Sequence, residues 1–418
     1  MTPAGVAQRV LDALDEDRLL RDLVDLIAIP SVSGTPGEVT VQEWYADQLS
    51  EAGLQVDLWE LDLPDLTHRV DFPGVEVYRS RALGCVGVTG HGIPGLILQG
   101  HTDVVPSGDV HDWATHPFQG TVSHGKVWGR GAADMKAGVA VNLAVARAIL
   151  ASGIDLAKPL AVHAVVGEED GGLGAFATLA RGHTGEACVI PEPTGGVIVV
   201  ANAGALTFRI EVPGRAAHAA LRKSGHSALE AFWGIHRSLL ELESERNADR
   251  DRLFAHTPLP YGISIGTVHA GEWPSTVPEL LVAEGRFGVR LDESVAEARA
   301  AFEEAVGNAA EADPWLRAHP PRVGWSGGQF ASGRLPEGHP LLGEMKEALV
   351  AAGQPVFAPI GLEGGSDLRL YNAAGIPTLH YGPGHLDQAH VIDEHVPVSM
   401  VLQSARALAM LAVGRCAA

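Results

Sequence analysis

Three short, almost wholly apolar runs end abruptly in polar clusters, and they constrain the fold more than any other feature. Leu96–Gly100 stops at His101-Thr102-Asp103, Pro159–Val166 at Gly167-Glu168-Glu169-Asp170, and Ala187–Ile190 at Pro191-Glu192-Pro193-Thr194. Strands that are apolar on both faces belong to a sheet covered by helices on both sides, and such sheets are mostly parallel. In open α/β sheets the chemistry lies outside the carboxyl ends of the strands. That is where these acids and this imidazole fall. Residues i and i+2 of an extended chain face the same way, so a carboxylate at Asp103 is placed to fix the tautomer of His101 and raise its basicity toward a metal.

Helical segments alternate with these strands. Asp17–Ile29 puts Leu19, Leu20, Leu23, Leu26 and Ile27 on one face before Pro30. Pro36–Ala52 turns Val41, Trp44, Tyr45 and Leu49 inward and stops at Gly53. Ala137–Leu150 is closed by Gly153. Pro64–Val77 reads as an irregular, acidic connector. After Ala205 the pattern changes to alternating strands at Leu206–Val212, Ile263–Val268 and Leu280–Val289, with helices near Ser227–Glu243 and Glu293–Val306. This is the signature of a small antiparallel α+β unit. A helix at Leu341–Ala352, a strand at Pro377–Tyr381 and a helix at Ser399–Leu411 return to the first pattern. The expected architecture is a mostly parallel twisted α/β sheet with helices on both faces, spanning residues 1–204 and 321–418, with an inserted unit at 205–320.

A chain of 418 residues exceeds one ordinary core. Thirty basic residues against 51 acidic ones leave a net charge of −21, which argues against nucleic acid or an anionic membrane as the main partner. Cys85, Cys188 and Cys416 are far apart and form neither a disulfide framework nor a thiolate zinc site. Without a signal pattern or an uninterrupted apolar run of membrane-spanning length, the expected location is the cytoplasm.

Several more residues are candidates for chemistry. Adjacent carboxylates at Glu168 and Glu169 repel each other unless something positive lies nearby. One metal ligand and one proton carrier is a natural division of labour for neighbours that point opposite ways. Asp134 lies in a loop before a helix, and Glu192 follows a strand. The stretch Ala389-His390-Val391-Ile392-Asp393-Glu394 adds ligands near the C-terminus. Mixed imidazole and carboxylate donors suit Zn²⁺. His163, inside a strand, reads as a core residue, His116 as a loop residue, and His385 as a pocket candidate.

The ordered motifs GHTDVVP, WGRGAADMKAG, GEEDGG, PEPT, GGSDLR and AHVIDE resemble those of the M20 metallopeptidase/deacylase family, in its acetylornithine deacetylase/succinyl-diaminopimelate desuccinylase group, over about Leu19 to Leu411. The resemblance implies two Zn²⁺ ions per subunit, with Co²⁺ or Mn²⁺ also accommodated. His101, Asp134 and Glu192 would hold one ion. Asp134, Glu169 and His390 would hold the other, with Asp134 bridging. Asp103 would orient His101, and Glu168 would be the general base. It also implies that the insert is a lid mediating a homodimer, whose His218, in Gly214-Arg215-Ala216-Ala217-His218, stabilises the oxyanion. Arg369 with Gly365 and Ser366, and Arg290 as a second candidate, would grip a substrate carboxylate. Ser275, in Ser275-Thr276-Val277-Pro278, stands where many members carry Asn, and Leu368 is bulkier than the usual residue. The expected activity is hydrolysis of the amide bond of a small N-acyl amino acid. A dipeptidase or carboxypeptidase, an aminopyrimidine deformylase and an inactive metal-bound scaffold are the alternatives.

Overall fold

The computed structural model describes residues 3–418. The described chain divides into two compact units: the residues up to 200, with 334–360 and 367–418, form the first, and residues 201–333 and 361–366 the second.

The first unit is built on a mixed sheet in the order Gln55–Glu60, Leu83–Val88, Leu160–Val165, Leu96–His101, Cys188–Ile190, Thr378–His380 and then residues 199–200 of the next strand. The four strands from Leu160–Val165 to Thr378–His380 are parallel, and they include the apolar runs. Antiparallel strands flank them on either side. Every residue of Leu96–His101 and Leu160–Val165 is buried, which is why both read as continuous apolar runs rather than alternating ones.

The helix Ala137–Ser152 is buried nearly all round, from Ala137 to Ala146 without a break, and Gly153 in the left-handed region closes it. Among the described residues one stretch, Ala132–Ser152, is long and apolar enough to cross a membrane, and 83% of its apolar window is buried inside the protein. Glu16–Ala28, capped by Asp15, buries Leu19, Leu23, Leu26 and Ile27, and packs on this central helix, as does Val398–Cys416. Gly138 lets the helix start lie against the next strand-end turn. A Cβ at that position would stand 2.3 Å from the Pro191 carbonyl oxygen. The three cysteines are free and buried.

Two elements of this unit were not among those expected from the sequence. A helix at Pro3–Asp12 precedes the first expected one. A small sheet joins Thr121–Ser123, Lys126–Trp128 and His395–Pro397. Its strands are three residues each, too short for alternation to be seen. The connector after Gln55–Glu60 contains a short helix, Leu63–His68, capped by Asp62.

The second unit is a four-stranded antiparallel sheet in the order Ile263–Ala270, Leu280–Val289, Gly204–Pro213, Arg322–Phe330. Leu206, Phe208, Ile210 and Val212 alternate inward along the Gly204–Pro213 strand and pack with Phe287, Phe302 and Ile235 in one core. The helices Ala228–Ala248 and Val295–Ala312 supply the other side of that core; a capping box of Ser294 and Glu297 starts the latter. The sequence reading ended this unit at residue 320. The Arg322–Phe330 strand pairs with Gly204–Pro213 and belongs to the same sheet. Its run Gly324-Trp325-Ser326-Gly327-Gly328 and a register break between Trp325 and Gln329 hide it from a propensity reading.

Candidate metal centre

His101 ends a buried parallel strand. Its Nδ1 lies 3.0 Å from the backbone oxygen of Asp103 and 3.7 Å from the Asp103 carboxylate. A ring that donates from Nδ1 leaves the Nε2 lone pair free for a metal. That Nε2 is 3.1 Å from Asp134 Oδ1 and 3.8 Å from Glu192 Oε1. The other oxygen of Asp134, Oδ2, is 3.5 Å from Nε2 of His390. His390 Nε2 also lies 3.1 Å from a Glu169 oxygen. Asp134 thus turns one oxygen to each of two imidazoles, and each imidazole has a second carboxylate beside it. Ligand atoms of His101, Asp134 and Glu169 all lie within 4.8 Å of one another.

Local backbone sets these positions. Asp134 leaves the helical region at φ −118° and ψ 97° just before the central helix begins, and the Asp134–Met135 peptide is cis. Glu168 and Glu169 follow the Leu160–Val165 strand in a tight turn, in which the Gly172 amide bonds the Gly167 carbonyl at 2.6 Å. The Asp103 carboxylate accepts the amides of both Glu168 and Glu169 at 3.3 Å, and the Ser33 hydroxyl at 3.1 Å. Asp103 therefore ties the His101 strand end to the Glu168–Glu169 turn, besides contacting the ring.

The electrostatics fit divalent cations. Burial raises Glu192 and Glu168 well above the usual carboxylate range, and neighbouring acids add to the effect. Burial, then the Asp134 charge, lifts Glu169 to about 7. His101 is pulled down by burial, yet the Asp134 hydrogen bond and the surrounding acids raise it well above its ordinary value. Burial opposes ionisation of Asp134, but its hydrogen bond to His101 wins and holds it low. Four carboxylates at 8–13% exposure, Asp134, Glu168, Glu169 and Glu192, outnumber the two imidazoles beside them, so the site is short of positive charge. Two divalent ions would supply it, and oxygen-rich sites with one imidazole each accept zinc, cobalt or manganese.

The remaining sequence candidates are distributed as follows. Arg369 lies in the Leu368–Ala373 helix, buried, with Nη2 donating to the Gly171 carbonyl at 2.7 Å; burial lowers it to about 10. In the first unit it therefore supports the turn that carries Glu168. Gly365 and Ser366 fall in the second unit, where a Cβ on Gly365 would stand 2.5 Å from Phe330. His218 opens a 3₁₀ turn there, its Nδ1 accepting the Ala220 amide at 3.1 Å. The Ala219 amide donates to the Ser275 carbonyl at 2.9 Å, so His218 and Ser275 share one loop pair. Arg290 follows the Leu280–Val289 strand and its amide donates to Glu293. His163 is buried against the Tyr371 hydroxyl at 2.8 Å, and His116 accepts a loop amide, as a core and a loop residue should. The ring of His385 packs at Gly195, beside the Glu192 turn.

Sequence reasoning passed over Arg79. It is buried between Glu38 and Asp170, with 2.8 Å contacts to each. The Asp170 carboxylate also accepts the Glu76 and Val77 amides. A single Arg just past an irregular connector carries no periodic signal.

Imidazoles and acids at the carboxyl ends of a parallel sheet, around a doubly faced aspartate, define a metal-dependent hydrolase. The profile of peptidase family M20/M25/M40 matches residues 97–413, and the chain belongs to that family. It is 27% identical to an N-formyl-4-amino-5-aminomethyl-2-methylpyrimidine deformylase of Halalkalibacterium halodurans, over 98% of this chain and 97% of that one. It is 35% identical to a succinyl-diaminopimelate desuccinylase of Methylorubrum extorquens, over 68% of this chain and 72% of that one. Its fold is similar to that of the dipeptidase Dug1p of Saccharomyces cerevisiae, with a TM-score of 0.76, 16% identity, and coverage of 99% of this chain and 98% of the other. The protein is a metal-dependent hydrolase of amide bonds.

Proposed function

We propose that the protein is a cytoplasmic deacylase that hydrolyses the amide bond of a small N-acyl amino acid, using two zinc ions per subunit, in a homodimer assembled through the second unit. The observation that carries this reading is the division of the Asp134 oxygens between His101 and His390, with buried Glu168 on the neighbouring strand end. Two bound divalent ions would lower the pKa of a water between them and polarise the scissile carbonyl.

The chain's own groups do the rest. His101, Asp134 and Glu192 would hold one ion, and Asp134, Glu169 and His390 the other. Glu168 accepts the proton of the attacking water and returns it to the leaving nitrogen; a carboxylate whose proton affinity is raised by burial suits both halves of that task. Asp103 holds His101 and the Glu168–Glu169 turn in register. His218 is the proposed oxyanion donor. Arg369, Arg290, Gly365, Ser366 and Ser275 are the proposed contacts to the substrate's charged end.

One observation favours a second reading. A relative that spans nearly the whole chain is an aminopyrimidine deformylase, so a formyl group is the alternative acyl group. Amine release from N-acetyl and N-succinyl amino acids, an N-formyl aminopyrimidine and a set of dipeptides separates the possibilities. The expected result is turnover on N-acyl amino acids that falls by about 10²–10⁴-fold in Glu168→Gln with bound metal retained. Dipeptide cleavage alone, or unchanged rates in Glu168→Gln, would contradict it.

A further inference from the structure

The second ion's imidazole is the least supported ligand. His101 and Glu192 follow directly from buried strands of the sheet. His390 sits outside any helix or strand, at φ 62°, with 52% of its side chain exposed. Something else must hold it opposite Asp134.

We propose that the buried Arg130–Glu394 ion pair is the positioning element that holds the Asp134 and His390 segments together and so sets the affinity of the second metal ion. Glu394 Oε1 accepts the Ala133 amide at 2.9 Å and the Asp134 amide at 3.1 Å. Its Oε2 takes Arg130 Nη1 at 2.6 Å. The same Nη1 reaches the carbonyl of Val391, the residue after His390, at 3.2 Å, and Nη2 reaches the Pro106 carbonyl, beyond the His101 strand, at 3.4 Å. The Gly129 amide donates to the Glu394 carbonyl at 2.9 Å, and the guanidinium lies over the Trp113 ring. Both side chains are almost wholly buried, at 3% and 1% exposure. A buried ion pair returns little net stability, so its value here is geometric. One carboxylate oxygen fixes the backbone of the bridging residue, and the other fixes the cation that holds the His390 segment.

This inference rests on the two-ion reading, and stepwise binding of Co²⁺ to metal-free protein tests the two separately. Titration is followed by calorimetry and by the visible absorption of the bound ions, on wild type, Glu394→Gln, Glu394→Ala and Arg130→Lys. Wild type is expected to take two ions in two steps. In the variants the first step stays within about threefold, and the second weakens by about 10–100-fold, the usual effect of removing a group that orients a ligand. Glu394→Gln, which keeps an oxygen for the two amides, loses less than Glu394→Ala. Where Glu394→Ala does not fold, Arg130→Lys decides, because it keeps the charge and loses the forked contacts. Two steps that weaken in parallel, or not at all, overturn the positioning role. A lowered melting temperature with the two steps unseparated overturns it as well, since that is the mark of a purely structural pair. A wild type that takes fewer than two ions overturns the two-ion reading and this inference together.

Discussion

Asp134 turns an oxygen to each of two imidazoles, and the oxygens are not interchangeable with an amide. Asp134→Asn replaces one anionic oxygen with an N–H donor. The expected outcome is protein that retains at most one tightly held ion, read by metal analysis after dialysis, and amide turnover down by at least about 10²-fold. A second residue-scale prediction concerns pH. Burial lowers His163 to about 3, so the native chain stays unprotonated there while the unfolded chain takes a proton below about 6.5. Its contribution to stability is therefore full above pH 6.5 and falls as pH drops toward 3. At pH 5 the loss is about 2 kcal/mol. Urea unfolding of metal-free protein at pH 7 and pH 5 should show it, and the difference should shrink by that amount in His163→Gln. Strand-end positions made His101, Glu168, Glu169 and Glu192 legible as candidates in the sequence, whereas grouping Asp134 and His390 with them as proposed ligands rested on the resemblance of the ordered motifs, because His390 lies outside any helix or strand. The contacts of Asp103 with the Glu168 and Glu169 amides were not, because backbone acceptance of that kind depends on where two separate turns come to rest.

Between residue and molecule, the connector after Gln55–Glu60 is the element whose part in the fold was hardest to read. Its Pro64–Val77 run read as an irregular, acidic connector, yet just beyond it Arg79 enters a buried site between Glu38 of the Gly37–Glu51 helix and Asp170 of the Glu168 turn. Removing the arginine leaves two carboxylates buried without a cation. Arg79→Met should destabilise the chain by about 3–5 kcal/mol, measured by denaturant unfolding, and the further change Glu38→Gln should recover part of that loss. Additivity of the two changes would contradict the account. Elements with long periodic signals, such as Ala228–Ala248 and Leu280–Val289, were legible within a few residues. The three-residue strands around Trp128 and His395 were not, since pairing rather than propensity makes them strands.

For the molecule as a whole, the two units carry separate cores, and all the proposed metal ligands belong to the first. Ions that bind only the native state add about 4 kcal/mol when free metal is 1,000 times the dissociation constant. A chelator should therefore lower the melting transition of the first unit and leave that of the second in place, as read by calorimetry; equal shifts in both would contradict the assignment. The insert itself was legible from the change of strand pattern after Ala205, whereas its last strand, rich in glycine, was not. The claim on which most depends is that Asp134 bridges two ions. Anomalous diffraction at the zinc edge from crystals of zinc-loaded protein measures it directly. Two peaks roughly 3.5–4 Å apart, one beside His101 and one beside His390, are the predicted result. A single peak, or a second one away from His390 and Glu169, would contradict it.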